Sequence, residues 1–214
     1  KMTPDVSVII VSWNVWEMVR DCIQSVMDQT DCSYEIIVVD NNSQDGSAEK
    51  IRGAFPDVRL IANSDNRGFA AANNQALEIS AGRYVLLLNP DTLVLDHAID
   101  KMVGWMDDNP DIGCGGCQVY ENEDTVQKTC FSDPNPLNIL LVQTGLHRLS
   151  DKSRFWGHPE YSWWDRCSEM DVDVVSGMFM MVPRKVLEAV GPMDAAYFVY
   201  SEEADWCRRI RNAG

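Results

Sequence analysis

The sequence predicts an α/β protein whose open, mostly parallel sheet lies between helices, and three observations carry that expectation. Strand-like and helix-like patterns alternate four times along the first half of the chain, the arrangement that builds parallel sheets with right-handed crossovers. One strand candidate, "RYVLLLNPDT", runs through four large apolar residues without alternation, as a central strand covered on both faces does. No Pro/Gly/Ser-rich linker or low-complexity tract divides the 214 residues, so a single domain over 1–214 is expected.

The elements follow in order. "VSVIIVSWN" (6–14) is a β-branched run. After it, Met18, Val19, Cys22, Ile23, Val26 and Met27 recur at helical spacing over 16–29. Residues 34–47 repeat the strand and end it in a turn-rich acidic loop, with a short helix over 48–54. Residues 58–80 give a short strand, a polar loop with Asn66-Arg67-Gly68, and an Ala-rich helix. The fourth strand follows, then a helix over about 96–109 that Pro110 ends. "IGCGGCQVY" reads as a Gly-interrupted strand. Over 121–169 the pattern degrades around Pro134, Pro136 and Pro159, which predicts an irregular insertion over the sheet edge. "VDVVSGMFMMVPRKVLEAVG" then reads as a strand pair and a helix with Pro183 in its first turn and Gly191 at its end. The last residues, "CRRIRNAG", have helical spacing and a Gly stop with nothing beyond to pack on, the pattern of a domain cut short at its C-terminal end.

Composition narrows the function. With 18 Lys and Arg against 33 Asp and Glu, the net charge of −15 argues against a nucleic-acid footprint or a polybasic membrane patch, which need clustered cations. A phosphate-bearing ligand would need a metal or helix N-termini to offset that charge. Seven cysteines at irregular positions, with no signal-peptide pattern ahead of them, predict reduced thiols in the cytoplasm. No run approaches the roughly 20 apolar residues that a membrane span requires.

The first strand-to-helix turn, Ser12-Trp13-Asn14-Val15, contains no glycine, which argues against a dinucleotide-binding dehydrogenase. No GxxxxGK[ST] loop is present. Open α/β sheets bind ligands outside the carboxyl ends of their strands, and Asp40 and Asp91 fall at such ends. Asp40 can accept a hydrogen bond from the imide N–H of uracil or thymine. Asp91 can bind a divalent cation that holds a diphosphate. Taken singly, "DNNS" and "NPDT" are equally plausible turns.

Six blocks in order tip the balance: "VSVIIVSWN", "IIVVDNNSQDGS", "NRGFAAANNQAL", "LLLNPDT", "VSGMFMMVPRKVLEAVGPMD" and "FVYSEEADWCRR". Together they resemble family 2 glycosyltransferases of the GT-A fold, and "LNPDT" and the final block most resemble the bacterial rhamnosyltransferase-like branch. The blocks run over 6–209. The resemblance implies a GT-A sheet with a Rossmann-like nucleotide-binding half. It implies that Asp40 binds the base, that Ser12, Asn41 and Asn42 complete the nucleoside pocket, and that Asn66 and Gly68 lie near the nucleotide. The family's Asp-x-Asp is Asn89-Pro90-Asp91 here, which leaves Asp91 to ligate Mn²⁺ or Mg²⁺ and Asn89 to contact ribose or phosphate. Glu203 falls on the catalytic-base position, with Glu202 as its rival.

The function so implied is an inverting transfer from dTDP-rhamnose or a UDP-sugar to a saccharide or lipid-linked acceptor in polysaccharide biosynthesis. The expected location is the cytoplasm or the inner face of the membrane, with peripheral membrane association. Two alternatives stand beside it. A sugar-phosphate nucleotidyltransferase would want a Gly-rich loop with Arg and Lys where "SWNVWE" stands. A non-catalytic nucleotide-sugar-binding domain draws mild support from Asn89.

Other features have plainer readings. Cys114-Gly115-Gly116-Cys117 has no second pair to make a zinc site, and His97, His147 and His158 form no metal-ligand pair. Asp45 and Gly46 read as turn formers. Trp156, Trp163 and Trp164 suit a hydrophobic cluster under a long loop slightly better than an acceptor-sugar platform. Ser176-Gly177 is a candidate for close approach to donor or acceptor.

Overall fold

The unbroken apolar runs become the centre of a five-stranded sheet. In the computed structural model, which describes residues 3–122, 125–149, 152–156 and 158–214, β1 (Val6–Ser12), β2 (Tyr34–Asp40), β3 (Arg59–Ala62) and β4 (Tyr84–Leu88) run parallel. Between and after them lie α1 (Trp16–Gln29), α2 (Ser47–Ala54), α3 (Phe69–Ile79) and α4 (Ala98–Asp108). The next strands are short: β5 (Tyr120–Asn122), β6 (Thr125–Val126) and β7 (Cys130–Phe131). Then follow α5 (Pro136–Gln143), β8 (Val174–Val175), β9 (Phe179–Pro183), α6 (Arg184–Val190) and α7 (Glu202–Asn212). The order across the main sheet is β3-β2-β1-β4-β9, with β9 antiparallel to β4.

The period-2 geometry of a strand divides the core into two layers. Leu86 and Leu88 point to the side that holds Val19, Ile23 and Met106 of α1 and α4. Val85 and Leu87 point to the side that holds Ala72, Leu187 and Trp206 of α3, α6 and α7. Both faces of β4 are therefore covered, as its sequence requires. No helix among the described residues is long and apolar enough to cross a membrane, and all seven cysteines are free thiols.

Four expectations are corrected. Residues 112–119 form no strand, and Tyr120 belongs to the short β5: only Gly115 bridges to Met181, through two bonds of 2.9 and 2.8 Å. The chain there threads between other elements, because a Cβ at Gly113 would fall 2.5 Å from Ile210 and one at Gly116 would fall 2.6 Å from Val175. The strand pair over 172–183 is split between sheets. β8 pairs with β7, and only β9 joins the main sheet. Pro183 ends β9 and caps α6 from outside its first turn. The insertion over 121–169 is less irregular than expected, since it contains α5, the β5–β6 pair and β7, whose partner β8 follows it; its positions 123, 124, 150, 151 and 157 lie outside the described residues.

Leu86 is fully buried at the middle of β4. Leu86→Ala should cost about 2–5 kcal/mol, the range for core truncation, read as a lower urea midpoint with unchanged m-value. An unmoved midpoint would contradict the central place given to this strand.

Candidate active site

The carboxyl ends of β1 and β2 form the first wall. Ser12 and Asp40 are paired across the two strands as their last residues. Asp40 is 2 % exposed; its Oδ2 accepts the Ser43 N–H at 2.9 Å. Its Oδ1 and the buried Ser12 Oγ have no partner among the described residues. An unpaired buried carboxylate oxygen costs about 1–3 kcal/mol or more, so this pair marks where a donor group should arrive.

The residues beside it shape the pocket more than they line it. Asn41 donates to the Gly68 carbonyl at 3.2 Å and accepts from Asn63 at 2.9 Å, so both ends of its amide are engaged. Asn42 turns the chain with φ 64°, and its carbonyl and side-chain oxygens accept from Gln44. Asn66 accepts the Gly68 N–H at 3.0 Å. Gly68 itself, at φ 79°, could hold no side chain: a Cβ would lie 2.3 Å from the Phe198 carbonyl oxygen. The same carbonyl accepts the Phe69 N–H at 2.7 Å, which joins the start of α3 to the loop before α7. Asp45 is the turn former expected; it also accepts the Trp16 and Ser47 N–H groups at the starts of α1 and α2.

The β4 exit forms the second wall. The Asn89 N–H donates to the Met178 carbonyl at 3.2 Å, and the Cys22 thiol reaches the Asn89 carbonyl at 3.5 Å. Asp91 lies exposed three residues beyond the strand. Burial pushes the Cys22 thiol up to about 12, and the Asp91 charge adds to that shift. Next to Met178, the Gly177 N–H donates to Glu203 Oε1 at 3.2 Å. A Cβ on Gly177 would crowd that oxygen and the Phe69 ring at 3.1 Å each.

α7 is delivered to this corner by a constrained backbone. Tyr200 (φ 68°) and Ser201 (φ 75°) both lie in the left-handed region, a conformation that costs of order 1–3 kcal/mol per non-glycine residue. Trp206, fully buried, donates its indole N–H to the Gly191 carbonyl at 3.0 Å. Arg209 caps the carbonyls of Val190 and Pro192 at 2.9 Å. With the helix so fixed, its two leading glutamates diverge. Glu203 faces Gly177, whereas Glu202 is 2 % exposed with Oε2 unpaired. Burial, and then the neighbouring Glu203 charge, raise the Glu202 carboxyl above its ordinary value of 4.5.

A cation fits at Asp91 as a carboxylate-plus-phosphate site, since hard divalent ions are often held by one or two carboxylates together with substrate phosphates. A separate group, Asp31, His97 and Asp100, brings ligand-type atoms within 4.8 Å of one another, so His97 has acidic neighbours that sequence spacing did not reveal. It lies past the far end of α1, whose 14 residues span about 21 Å, and has no part in this site. His147 is a core histidine, its Nδ1 3.1 Å from the Leu141 carbonyl.

Residues 7–191 match the family model described as "Glycosyl transferase family 2". The chain belongs to that family. The whole of this family 2 domain aligns with 72 % of an N-acetylglucosaminyl-diphospho-decaprenol L-rhamnosyltransferase from Mycobacterium tuberculosis at 24 % identity. Over 68 % of its length it is 28 % identical to the Escherichia coli UDP-Glc:alpha-D-GlcNAc-diphosphoundecaprenol beta-1,3-glucosyltransferase WfgD, covering 58 % of that protein. Among solved structures, a Pyrobaculum calidifontis mannosyltransferase in complex with GDP-Man and Mn²⁺ superposes with TM-score 0.66 at 20 % identity over 98 % of the chain. S. aureus TarS (1–349) does so with TM-score 0.60 at 15 % identity over 96 %. The domain spans about half the length of these two structures, and their likeness establishes the GT-A fold. α7, which carries Glu202 and Glu203, lies beyond the matched residues 7–191.

The family 2 domain thus brings Ser12, Asp40, Gly68, Asn89, Asp91 and Glu203 to one edge of the sheet, and it buries Glu202 behind them. The partners that sequence reading missed are Asn63 and the Phe198 carbonyl. Asn63 carried no motif signal, and a backbone carbonyl carries none. The three tryptophans have separate partners: Arg154 stacks on Trp163 at 4.7 Å, Arg166 on Trp164 at 5.1 Å, and Trp156 meets Phe155 edge-on at 5.0 Å.

A raised folded-state carboxyl opposes folding once the unfolded group ionises. The Glu202 penalty is absent below pH 4.5, grows as pH rises toward the folded value, and is complete above it. Glu202→Gln should therefore be more stable than the parent at pH 7 and equal to it at pH 4 in urea unfolding. A difference that is the same at both pH values would refute the buried, proton-favouring environment.

Proposed function

We propose that the chain is an inverting transferase that moves a sugar from a pyrimidine nucleoside diphosphate, dTDP-rhamnose or a UDP-sugar, to a saccharide or lipid-linked acceptor. The observation that carries this reading is the convergence at one sheet edge of an unpaired base acceptor, Asp40 Oδ1, and an oriented carboxylate, Glu203. The names of the two relatives, a rhamnosyl and a glucosyl transferase acting on lipid-linked diphosphates, support the donor and acceptor classes.

In this reading Asp40 accepts the imide N–H of uracil or thymine, and Ser12 Oγ lies beside it for a second contact. Asn89 meets ribose or phosphate. A Mn²⁺ or Mg²⁺ ion held by Asp91 would supply positive charge to the departing diphosphate. Glu203 takes the proton of the acceptor hydroxyl as its oxygen bonds to the anomeric carbon. The bond from that carbon to the phosphate oxygen breaks, and its electrons leave with the diphosphate. The Gly177 N–H holds Glu203 Oε1 and leaves Oε2 to receive the proton. Glu202 is too buried to reach an acceptor, which favours Glu203 as the base. The work is expected at the cytoplasmic membrane face, in polysaccharide assembly.

Glu203→Gln should lower kcat by about 10²- to 10⁴-fold, the usual share of a positioned base, while affinity for dTDP or UDP stays at the parent level. Full turnover in that variant would remove Glu203 from the base role. Asp40→Asn should weaken calorimetric binding of the same nucleotides by roughly 10- to 100-fold, the worth of a hydrogen bond to a charged group.

A further inference from the structure

The insertion carries an apolar surface that the transfer reaction does not use. α5 has almost no polar side: Leu137, Ile139, Leu140 and Val142 are each about half exposed. It is held from beneath by Asn138, which donates to Ser132 Oγ at 2.7 Å and to the Asp133 carbonyl at 3.0 Å. The turn that packs on it through His147 ends at Leu149, 65 % exposed, and Phe155 of the same insertion is 55 % exposed. Soluble surfaces rarely leave such a group of aliphatic residues in water without a partner.

The stretch that carries it is locally less acidic than the rest of the molecule, although Lys128 is paired with Glu160 at 2.7 Å. Between Thr125 and Trp156 the sequence holds Lys128, Arg148, Lys152 and Arg154 against Asp133 and Asp151, a local excess of two cations in a chain of net charge −15. Lys152 and Arg154 are exposed. Exposed aliphatics flanked by aromatic and basic side chains are what an anionic membrane interface binds. Two copies meeting at this face would oppose like charges. The surface also adjoins the site: Asp133, just before α5, accepts from Arg208 and Arg211 of α7 at 2.8 and 3.0 Å.

We propose that α5 and the following turn form a docking surface for an anionic phospholipid bilayer, which seats the acceptor side of the site at the membrane. The proposal rests on the transferase reading only for the purpose of the docking. The docking itself is measured without turnover.

The test is co-sedimentation of the chain with phosphatidylcholine vesicles, pure or containing about 30 % phosphatidylglycerol. Binding is expected to the anionic vesicles and to weaken about fivefold for each of Lys152→Ala and Arg154→Ala, the worth of a basic residue near such a surface. The double variant Ile139→Asp, Leu140→Asp should lose at least tenfold in vesicle affinity while binding dTDP or UDP as the parent does, which also reports its folding. Absence of vesicle binding, binding indifferent to Ile139 and Leu140, or self-association abolished by their replacement without vesicle binding would each overturn the proposal. Vesicle binding by a chain that binds no nucleotide would support this surface and count against the transferase reading.

Discussion

The antiparallel register of β9 on β4 is the constraint on which the site depends. Leu88 pairs with Phe179, so the start of β9 lies where the parallel strands end. The Asn89 N–H then extends the ladder by one bond to Met178, and the adjacent Gly177 N–H is left facing α7, where it meets Glu203. A parallel fifth strand would have placed the 176–178 turn at the opposite edge of the sheet. One reversal of direction therefore brings a residue 203 positions along the chain to the mouth of strands whose residues come from the first 91.

The site is expensive in local terms. Asp40 and Glu202 are buried carboxyls with unpaired oxygens, and Tyr200 and Ser201 hold left-handed backbone just before the glutamates. The surrounding structure over-determines these features: a fully buried tryptophan and an arginine that caps two carbonyls fix α7, and two apolar layers fix β4. Conflicts with local rules that gather at one sheet edge, in a chain otherwise consistent from propensity to packing, are what a functional site produces.

Much of this is legible in the sequence. The helix over Trp16–Gln29 and the strand over Tyr34–Asp40 appear where periodicity and β-branched runs place them, because their buried faces leave a regular trace. α5 left none: "PLNILLVQ" is apolar all round and sits among prolines, so no amphipathic signal marks it. Residues 112–120 looked like a strand, but their glycines serve close passage past Ile210 and Val175 instead of pairing. Asp40 and Asp91 could be named as candidates from strand ends alone. Glu202 and Glu203, adjacent in one helical turn, could be separated only by burial and by the Gly177 bond, both products of tertiary structure. The roles of Asn41 and Asn66 likewise became clearer as loop-shaping contacts with Gly68.

The most direct measurement is a crystal structure of the chain grown with dTDP and Mn²⁺. The base should lie with its imide N–H on Asp40 Oδ1, the diphosphate and the ion at Asn89 and Asp91, and the Glu203 carboxylate across from the diphosphate with Gly177 still bound to it. A nucleotide seated elsewhere, or one that leaves Asp40 Oδ1 untouched, would contradict the central claim that this sheet edge is the donor site.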